Sequence, residues 1–112
     1  MNDRFLSLLG LSKKANKLLF GYDTVIKSVK ENKAKLILLT SDISAHTEND
    51  VRKEAGTVVD ILKMEYTKDD VYNATSKYSA VLALTDVGFS EKMCSLLEAK
   101  NVREEKINGT CN

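Results

Sequence analysis

The sequence has few residues of the kinds that hold metals or disulfide frameworks, with one histidine and two cysteines in 112 residues. Cys94 and Cys111 have no spacing that suggests a disulfide framework, so we expect both to be free thiols. His46 has no second histidine and neither cysteine at ligand spacing, so we interpret it as an exposed residue at a helix start. The sequence therefore predicts no metal site and no cofactor.

Long hydrophobic runs are also absent. No apolar run approaches the roughly 20 residues that a membrane-spanning helix needs. The N-terminal stretch MNDRFLSLLG has too short an apolar core for a secretory signal. We therefore expect a cytoplasmic protein with no membrane partner. The chain has no linker or repeat, and its 43% hydrophobic and 29% charged residues are typical of one ordinary globular domain.

Motifs that carry catalysis are missing as well. The chain contains no G-x-G-x-x-G, no G-x-x-x-x-G-K-[ST] and no G-x-S-x-G, so it lacks the phosphate cradle of a nucleotide enzyme and the nucleophile elbow of a hydrolase. Asp69 and Asp70 are adjacent, and neighbouring positions on a helix do not face each other, so we interpret them as stabilisers of a first helical turn. The sequence predicts a protein that is not an enzyme.

The formal net charge of +1 is divided unevenly along the chain. Residues 1–40 hold eight basic and three acidic residues, a formal charge of +5, whereas residues 41–112 carry −4. Such asymmetry is a hint of a polyanionic partner for the N-terminal third of the chain. The alternative is a solvated basic face with no ligand.

Hydrophobic periodicity predicts alternating helices and strands. We expect helices over about 3–14, 22–31, 44–55 and 67–75 and a last helix with its core stripe at 89–97, and strands over 17–20, 36–39, 58–62 and 80–84. Uninterrupted aliphatic runs such as Leu36–Leu39 are typical of strands that are covered on both faces. The predicted fold is α/β, a three-layer α/β/α sandwich with a small mixed sheet of about four strands, in a single domain over 1–100 with a polar tail over 101–112.

Gly21 lies where a predicted strand meets a predicted helix, in the stretch KLLFGYDT. A glycine there lets a ligand approach the backbone closely, and the free N–H groups of the following helix attract phosphate. Lysines precede and follow it along the chain, at Lys13, Lys14, Lys17, Lys27 and Lys30. We expect them to form a basic surface around this helix start. The alternative is a tight turn into a capped helix, with Gly21 present for its dihedral angles.

Several stretches in this order resemble a known family. They are LSKKA at 11–15, KLLFG at 17–21, a helix that holds Lys27, KAKLILLTSD at 33–42 and AVLALTDVGF at 80–89. The sequence resembles the ribosomal protein family of large-subunit proteins seven-Ae and thirty-e, and especially its small bacterial YlxQ-type members. The resemblance covers nearly everything except the last ten or so residues.

The resemblance implies a compact α/β/α RNA-binding domain. Many members of the family grip the kink-turn, a sharply bent internal loop of RNA with tandem sheared G·A pairs. They bind it with the glycine-led start of the second helix and with a loop before the last core strand. By this resemblance the motif glycine is Gly21, the base-reading positions are Tyr22, Asp23 and Thr24, the helix lysine is Lys27, and the loop is Ser76, Lys77, Tyr78 and Ser79.

The chain departs from the family pattern at one pair of positions. Many kink-turn binders place Asn-Glu where this chain has Asp23-Thr24, so a carboxylate that only accepts stands in place of an amide that also donates. Tyr22 and Tyr78 either offer rings on which an unstacked base can stack or fill the core. Lys33 and Lys35, which flank the start of a strand, either touch phosphate or are solvated.

Two functions are compatible with these features. The first is a monomeric, non-enzymatic binder of structured RNA, ribosomal or kink-turn-like, that uses positive charge for affinity and the Gly21 turn and the 76–79 loop for shape. The second is a protein-interaction module of the translation or transcription machinery, with ribosomal or transcription-complex proteins as partners, that has kept the fold but has little RNA specificity.

Overall fold

The computed structural model describes residues 4–101, with the side chains of residues 4–96. The helices are α1 (Arg4–Lys14), α2 (Tyr22–Lys30), α3 (Ala45–Ala55), α4 (Lys68–Thr75) and α5 (Val87–Asn101). The strands are β1 (Leu18–Phe20), β2 (Leu36–Leu39), β3 (Ile61–Lys63) and β4 (Val81–Leu84). The predicted tail lies outside the described residues except for Asn101, which ends α5.

The four strands form one mixed sheet in the order β1-β4-β2-β3. β4 pairs antiparallel with both β1 and β2, and β2 pairs parallel with β3. The register places Leu18 opposite Leu84 and Phe20 opposite Leu82. Because β1 and β4 run in opposite directions, the end of β1 lies beside the start of β4. This arrangement confirms the predicted α/β fold with a small mixed sheet.

Helices cover both faces of the sheet and enclose two hydrophobic cores. Successive side chains of a strand point to opposite faces, so Leu36 and Leu38 pack into one core, and Ile37 and Leu39 pack into the other. The first core is completed by α1, α4 and α5, and the second by α2 and α3. All four residues of β2 are buried, as the uninterrupted aliphatic run predicted.

The prediction of a strand over 58–62 is wrong in its bounds, because β3 begins at Ile61. The backbone N–H groups of Val58 and Val59 donate to the carbonyl oxygen of Ala55 at the end of α3. Val58 is 62% exposed, so these two residues belong to a turn. An apolar run does not by itself separate a turn from the strand that follows it.

Two further features bear on the sequence predictions. Thr67 and Asp70 form a capping box at the start of α4, in which each side chain accepts a hydrogen bond from the other residue's backbone N–H, and Asp70 thus stabilises the first turn as predicted. Cys94 is disulfide-bonded, so the prediction of a free thiol at this position is wrong. Within the described residues, no helix is long and apolar enough to cross a membrane.

Candidate nucleic-acid interface

The start of α2 depends on the backbone conformation of Gly21. Gly21 has φ 96° and ψ 144°, a conformation that side chains disfavour, and no side chain caps the helix. A Cβ atom at this position would meet nothing within 4 Å. Glycine is therefore required at this position because other residues rarely adopt these dihedral angles. The space beside it is open to a ligand.

The loop over 76–79 joins α4 to β4 and is held by hydrogen bonds at both of its ends. Ser76 adopts a left-handed conformation with φ 71° and ends α4. The N–H of Lys77 donates to the hydroxyl of Thr75 at 3.1 Å. The hydroxyl of Ser79 donates to the carbonyl of Val81 at 2.9 Å. These bonds fix the path of the loop backbone.

The sheet brings the Gly21 turn and this loop to the same end of the molecule. Phe20 ends β1 opposite Leu82 near the start of β4, and the N–H of Gly21 donates to the carbonyl of Val81 at 2.9 Å. The ammonium group of Lys77 lies 5.9 Å from the centroid of the Phe20 ring. We call residues 21–24 and 76–79 the Gly21 end.

Tyr78 is the aromatic residue of the loop and is available to a ligand, since it is 61% exposed. Its ring meets that of Tyr72 on α4 edge to face, with centroids 6.5 Å apart, and Tyr72 is itself 51% exposed. The ammonium group of Lys68 lies 5.8 Å from the centroid of the Tyr78 ring. Tyr72 and Lys68 are not among the residues that the sequence predicts for the site. Their spacing on α4, four residues apart on one helical face, was the available signal.

Tyr22 has different surroundings from Tyr78. Its half-buried side chain packs against the core formed by α2 and α3. The pKa of its hydroxyl lies above the ordinary value because of desolvation and of the nearby carboxylates of Asp50, Glu54 and Asp23. The ring therefore packs against the protein near three carboxylates. This agrees with the alternative interpretation of Tyr22, in which its ring fills the core.

Asp23, Thr24, Lys27 and Lys30 of α2 are all exposed. The side chain of Lys27 is 74% exposed and its ammonium group lies 3.8 Å from the carboxylate of Glu31. Glu31 also lies 3.4 Å from the ammonium group of Lys33. Exposed pairs of this kind contribute little to stability, so Lys27 and Lys33 are free to exchange Glu31 for another anion.

Lys13, Lys14 and Lys17 are not brought to the Gly21 end. The carbonyl of Lys17 accepts a hydrogen bond from the N–H of Thr85, which follows β4, so Lys17 lies at the opposite end of the sheet. Lys17 and Gly21 are four positions apart on either side of the three-residue strand β1, a distance of about 13 Å in extended chain. The structure does not bring Lys17 to the helix start at Gly21, because β1 carries the chain across the sheet, and the RNA-binding role of Lys13, Lys14 and Lys17 stays a prediction.

An open groove runs along α2 beside the edge strand β1. Its volume is about 580 Å³, and its lining includes Thr24, Lys27, Glu31, Lys33, Lys35 and Thr85. We call it the α2 groove. It leads from the first turn of α2 towards the end of the sheet where Lys17 lies.

The arrangement is that of a binding surface. Among residues 4–101, no group of three or more histidine, cysteine, aspartate or glutamate side chains is placed to hold a metal ion. Besides the carboxylate of Asp23, the exposed groups are lysines, hydroxyls and a tyrosine around a glycine-led helix start. Such groups bind anions and flat rings by hydrogen bonds, charge and stacking.

The sequence and the fold define the family. A sequence model of the ribosomal protein L7Ae/L30e/S12e/Gadd45 family matches residues 3–68. The chain is 36% identical over 92 residues to the RNA-binding protein YlxQ of Bacillus subtilis, covering 81% of this chain and 92% of that protein. The chain therefore belongs to the ribosomal protein L7Ae/L30e/S12e/Gadd45 family. Within it, the predicted YlxQ type is confirmed.

Other relatives agree with this assignment. The chain is 27% identical to the RNA-binding protein YlxQ of Enterococcus faecium, covering 83% of this chain and 90% of that protein. A solved protein of unknown function from Bacillus halodurans has a TM-score of 0.80 and 31% identity, covering 87% of this chain and 99% of that one. The 15.5kD RNA binding protein of Giardia lamblia shares the fold, with a TM-score of 0.68 and 16% identity, covering 88% and 92% of the two chains.

Proposed function

We propose that this protein is a non-enzymatic, monomeric RNA-binding protein of the cytoplasm that binds structured RNA through the Gly21 end. One observation carries the proposal. The glycine-led start of α2 and the 76–79 loop, far apart in sequence, meet at one end of the sheet through the bond from Gly21 to Val81. Relatives named as RNA-binding proteins support the choice of ligand.

The Gly21 end offers three kinds of contact to RNA. The uncapped start of α2 presents backbone N–H groups at the positive end of the helix dipole, where a phosphate is stabilised. Lys77 and, beside the Gly21 end in the α2 groove, Lys27 are exposed lysines that can contact further phosphates. Tyr78 presents its ring for stacking of an unpaired base. Together these contacts favour a folded RNA with an extruded base over a plain duplex.

Asp23 and Thr24 set the selectivity that we propose. Both side chains are exposed in the first turn of α2. A carboxylate and a hydroxyl accept hydrogen bonds from guanine N–H groups, but the carboxylate donates none and repels phosphate. We therefore propose binding to kink-turn-like RNA, such as a ribosomal RNA element, and a role in translation, with a smaller preference for intact G·A pairs than an amide would give.

A binding titration tests this function. The protein is titrated with a kink-turn RNA, with the same RNA after replacement of its G·A pairs, and with a plain duplex, each at two salt concentrations. We expect the tightest binding to the intact kink-turn and a loss of affinity for all three RNAs as salt rises. Equal binding to all three would reject kink-turn selectivity. No binding to any of them would favour the protein-interaction module instead.

A further inference from the structure

The end of the sheet opposite the Gly21 end carries its own group of lysines. The chain turns directly from α1 into β1, with the N–H of Lys17 donating to the carbonyl of Ser12. The N–H of Lys35 donates to the carbonyl of Leu84, and the next residue, Thr85, bonds to Lys17. These bonds place the starts of β1 and β2 beside the end of β4. We call this region the lysine end, with Lys13, Lys14, Lys17, Lys33 and Lys35.

Few carboxylates neutralise the lysine end. Within the described residues, Lys14, Lys17 and Lys35 are exposed and form no ion pair. Glu31 is divided between Lys27 and Lys33. The carboxylate of Asp86 accepts the N–H of Phe89 at the start of α5. Lys13 and Lys14 lie in the last turn of α1, where positive charge stabilises the helix C-terminus. This role does not account for Lys17 or Lys35.

The α2 groove connects the lysine end with the Gly21 end. Thr24 of the first turn of α2 and Lys35 at the start of β2 both line it. α2 has nine residues, which corresponds to a length of about 13 Å. A nucleic-acid strand carries closely spaced phosphates along such a distance, so one strand can reach lysines at both ends.

We propose that the lysine end is a second RNA-binding surface, which holds the phosphodiester backbone of a helical arm of the RNA bound at the Gly21 end. The inference rests on the proposed function. The lysines contribute affinity without reading sequence, because ammonium groups on flexible stems bind phosphates as point charges. The exposed lysines lie at two strand starts, at a helix end and along a groove. This distribution fits a polyanion whose backbone runs across the surface.

The test uses RNAs that differ only in arm length. The protein is titrated with a short kink-turn RNA and with two longer forms, each with one arm extended by about one helical turn. The variant Lys17→Ala/Lys35→Ala is compared with Lys53→Ala/Lys92→Ala, which removes the same charge from exposed positions on α3 and α5. Urea unfolding of each variant checks that the fold is retained.

We expect one extended arm to tighten binding by the native protein several-fold. Lys17→Ala/Lys35→Ala should abolish this gain and lower the salt slope for the longer RNA by about 1 to 2. It should affect the short RNA no more than the control does. If neither arm adds affinity, or if both variants lose it equally, the lysine end is not an RNA surface although the proposed function stands.

An acidic peptide separates a protein partner from RNA. If polyglutamate binds through Lys17 and Lys35 while neither extended arm adds affinity, the surface docks an acidic protein and the inference is overturned. If the native protein binds none of the RNAs, including the short one, the proposed function itself has failed.

Discussion

The backbone N–H of Gly21 donates a hydrogen bond to the carbonyl oxygen of Val81 at 2.9 Å. This bond joins the residue that precedes α2 to the first residue of β4. Because β4 follows the 76–79 loop, it also fixes the position of the loop relative to the helix start. The two segments of the interface are thus joined by a backbone bond, which does not depend on the identity of their side chains.

We expect Gly21→Ala to destabilise the protein. Gly21 has a φ of 96°, so an alanine there is strained even though the surrounding space is open. Residues held in glycine-favoured conformations cost about 1–3 kcal/mol, and the midpoint of urea unfolding should fall accordingly. RNA affinity should fall as well, because relief of the strain moves the first turn of α2. An unchanged unfolding midpoint would show that Gly21 is not needed for its dihedral angles.

Lys27→Ala should weaken RNA binding and flatten its dependence on salt. Lys27 is exposed one turn into α2, where it lines the α2 groove. Loss of one phosphate contact reduces the salt slope by about 1. The control is Lys92→Ala, an exposed lysine of α5, which should change neither quantity much. Equal losses in the two variants would mean that only net charge matters.

Tyr78 and Tyr22 should respond differently to substitution. Tyr78→Ala should reduce RNA affinity by about 1–3 kcal/mol through loss of a stacked base, and Tyr78→Phe should retain that affinity. Tyr22→Phe should leave RNA binding unchanged, because the Tyr22 ring packs against the α2–α3 core in the field of three carboxylates. Affinity measurements on the three variants check this, and a large loss in Tyr22→Phe would place the Tyr22 hydroxyl in the interface.

Asp23→Asn should tighten binding to an intact kink-turn RNA. The amide adds a hydrogen-bond donor and removes a negative charge next to phosphate, and a net hydrogen bond is worth about 1 kcal/mol. Glu91→Gln removes a negative charge from an exposed position on α5 and serves as the control. The gain should be confined to Asp23→Asn and to the RNA with intact G·A pairs. A similar gain on plain duplex would mean that charge alone is responsible.

The elements that the sequence predicts best are those with an unambiguous burial pattern. β2 has the predicted bounds, because a strand that is buried on both faces is an uninterrupted apolar run whose ends are marked by polar residues. α4 begins at Lys68, within one residue of its predicted start, where Thr67 caps it. β3 begins later than predicted, because Val58 and Val59 are apolar but lie in the turn that precedes it. Apolar side chains do occur in turns, so composition alone did not locate this boundary.

The site was harder to predict because proximity in space is not proximity in sequence. The pairing of the Gly21 turn with the 76–79 loop followed from the family resemblance, and the backbone geometry supports it. Lys17 was grouped with Gly21 because they are close along the chain, but an intervening strand separates them. Tyr72 was overlooked because its contact with Tyr78 exists only once α4 and the loop are folded together.

Glu48 gives the fold a dependence on pH. Its carboxylate lies 3.0 Å from both the guanidinium of Arg52 and the ammonium group of Lys63, so it ties α3 to β3. Hydrogen bonds from Lys63 and Arg52 hold the pKa of Glu48 below its ordinary value. A carboxyl whose pKa is lowered by folding adds stability above its unfolded pKa and loses it as pH falls through its folded pKa.

We therefore expect Glu48→Gln to be less stable than the native protein at neutral pH. The difference should narrow as pH falls below the ordinary pKa of a glutamate, where the unfolded carboxyl becomes protonated, and should be smallest below the lower pKa of folded Glu48, where the native carboxyl no longer pairs with Lys63. Added salt should reduce the difference too, since the pairs are partly exposed. Urea unfolding across pH measures it, with Glu54→Gln on the same helix as the control. A difference that stays constant with pH would mean that Glu48 acts through packing instead of charge.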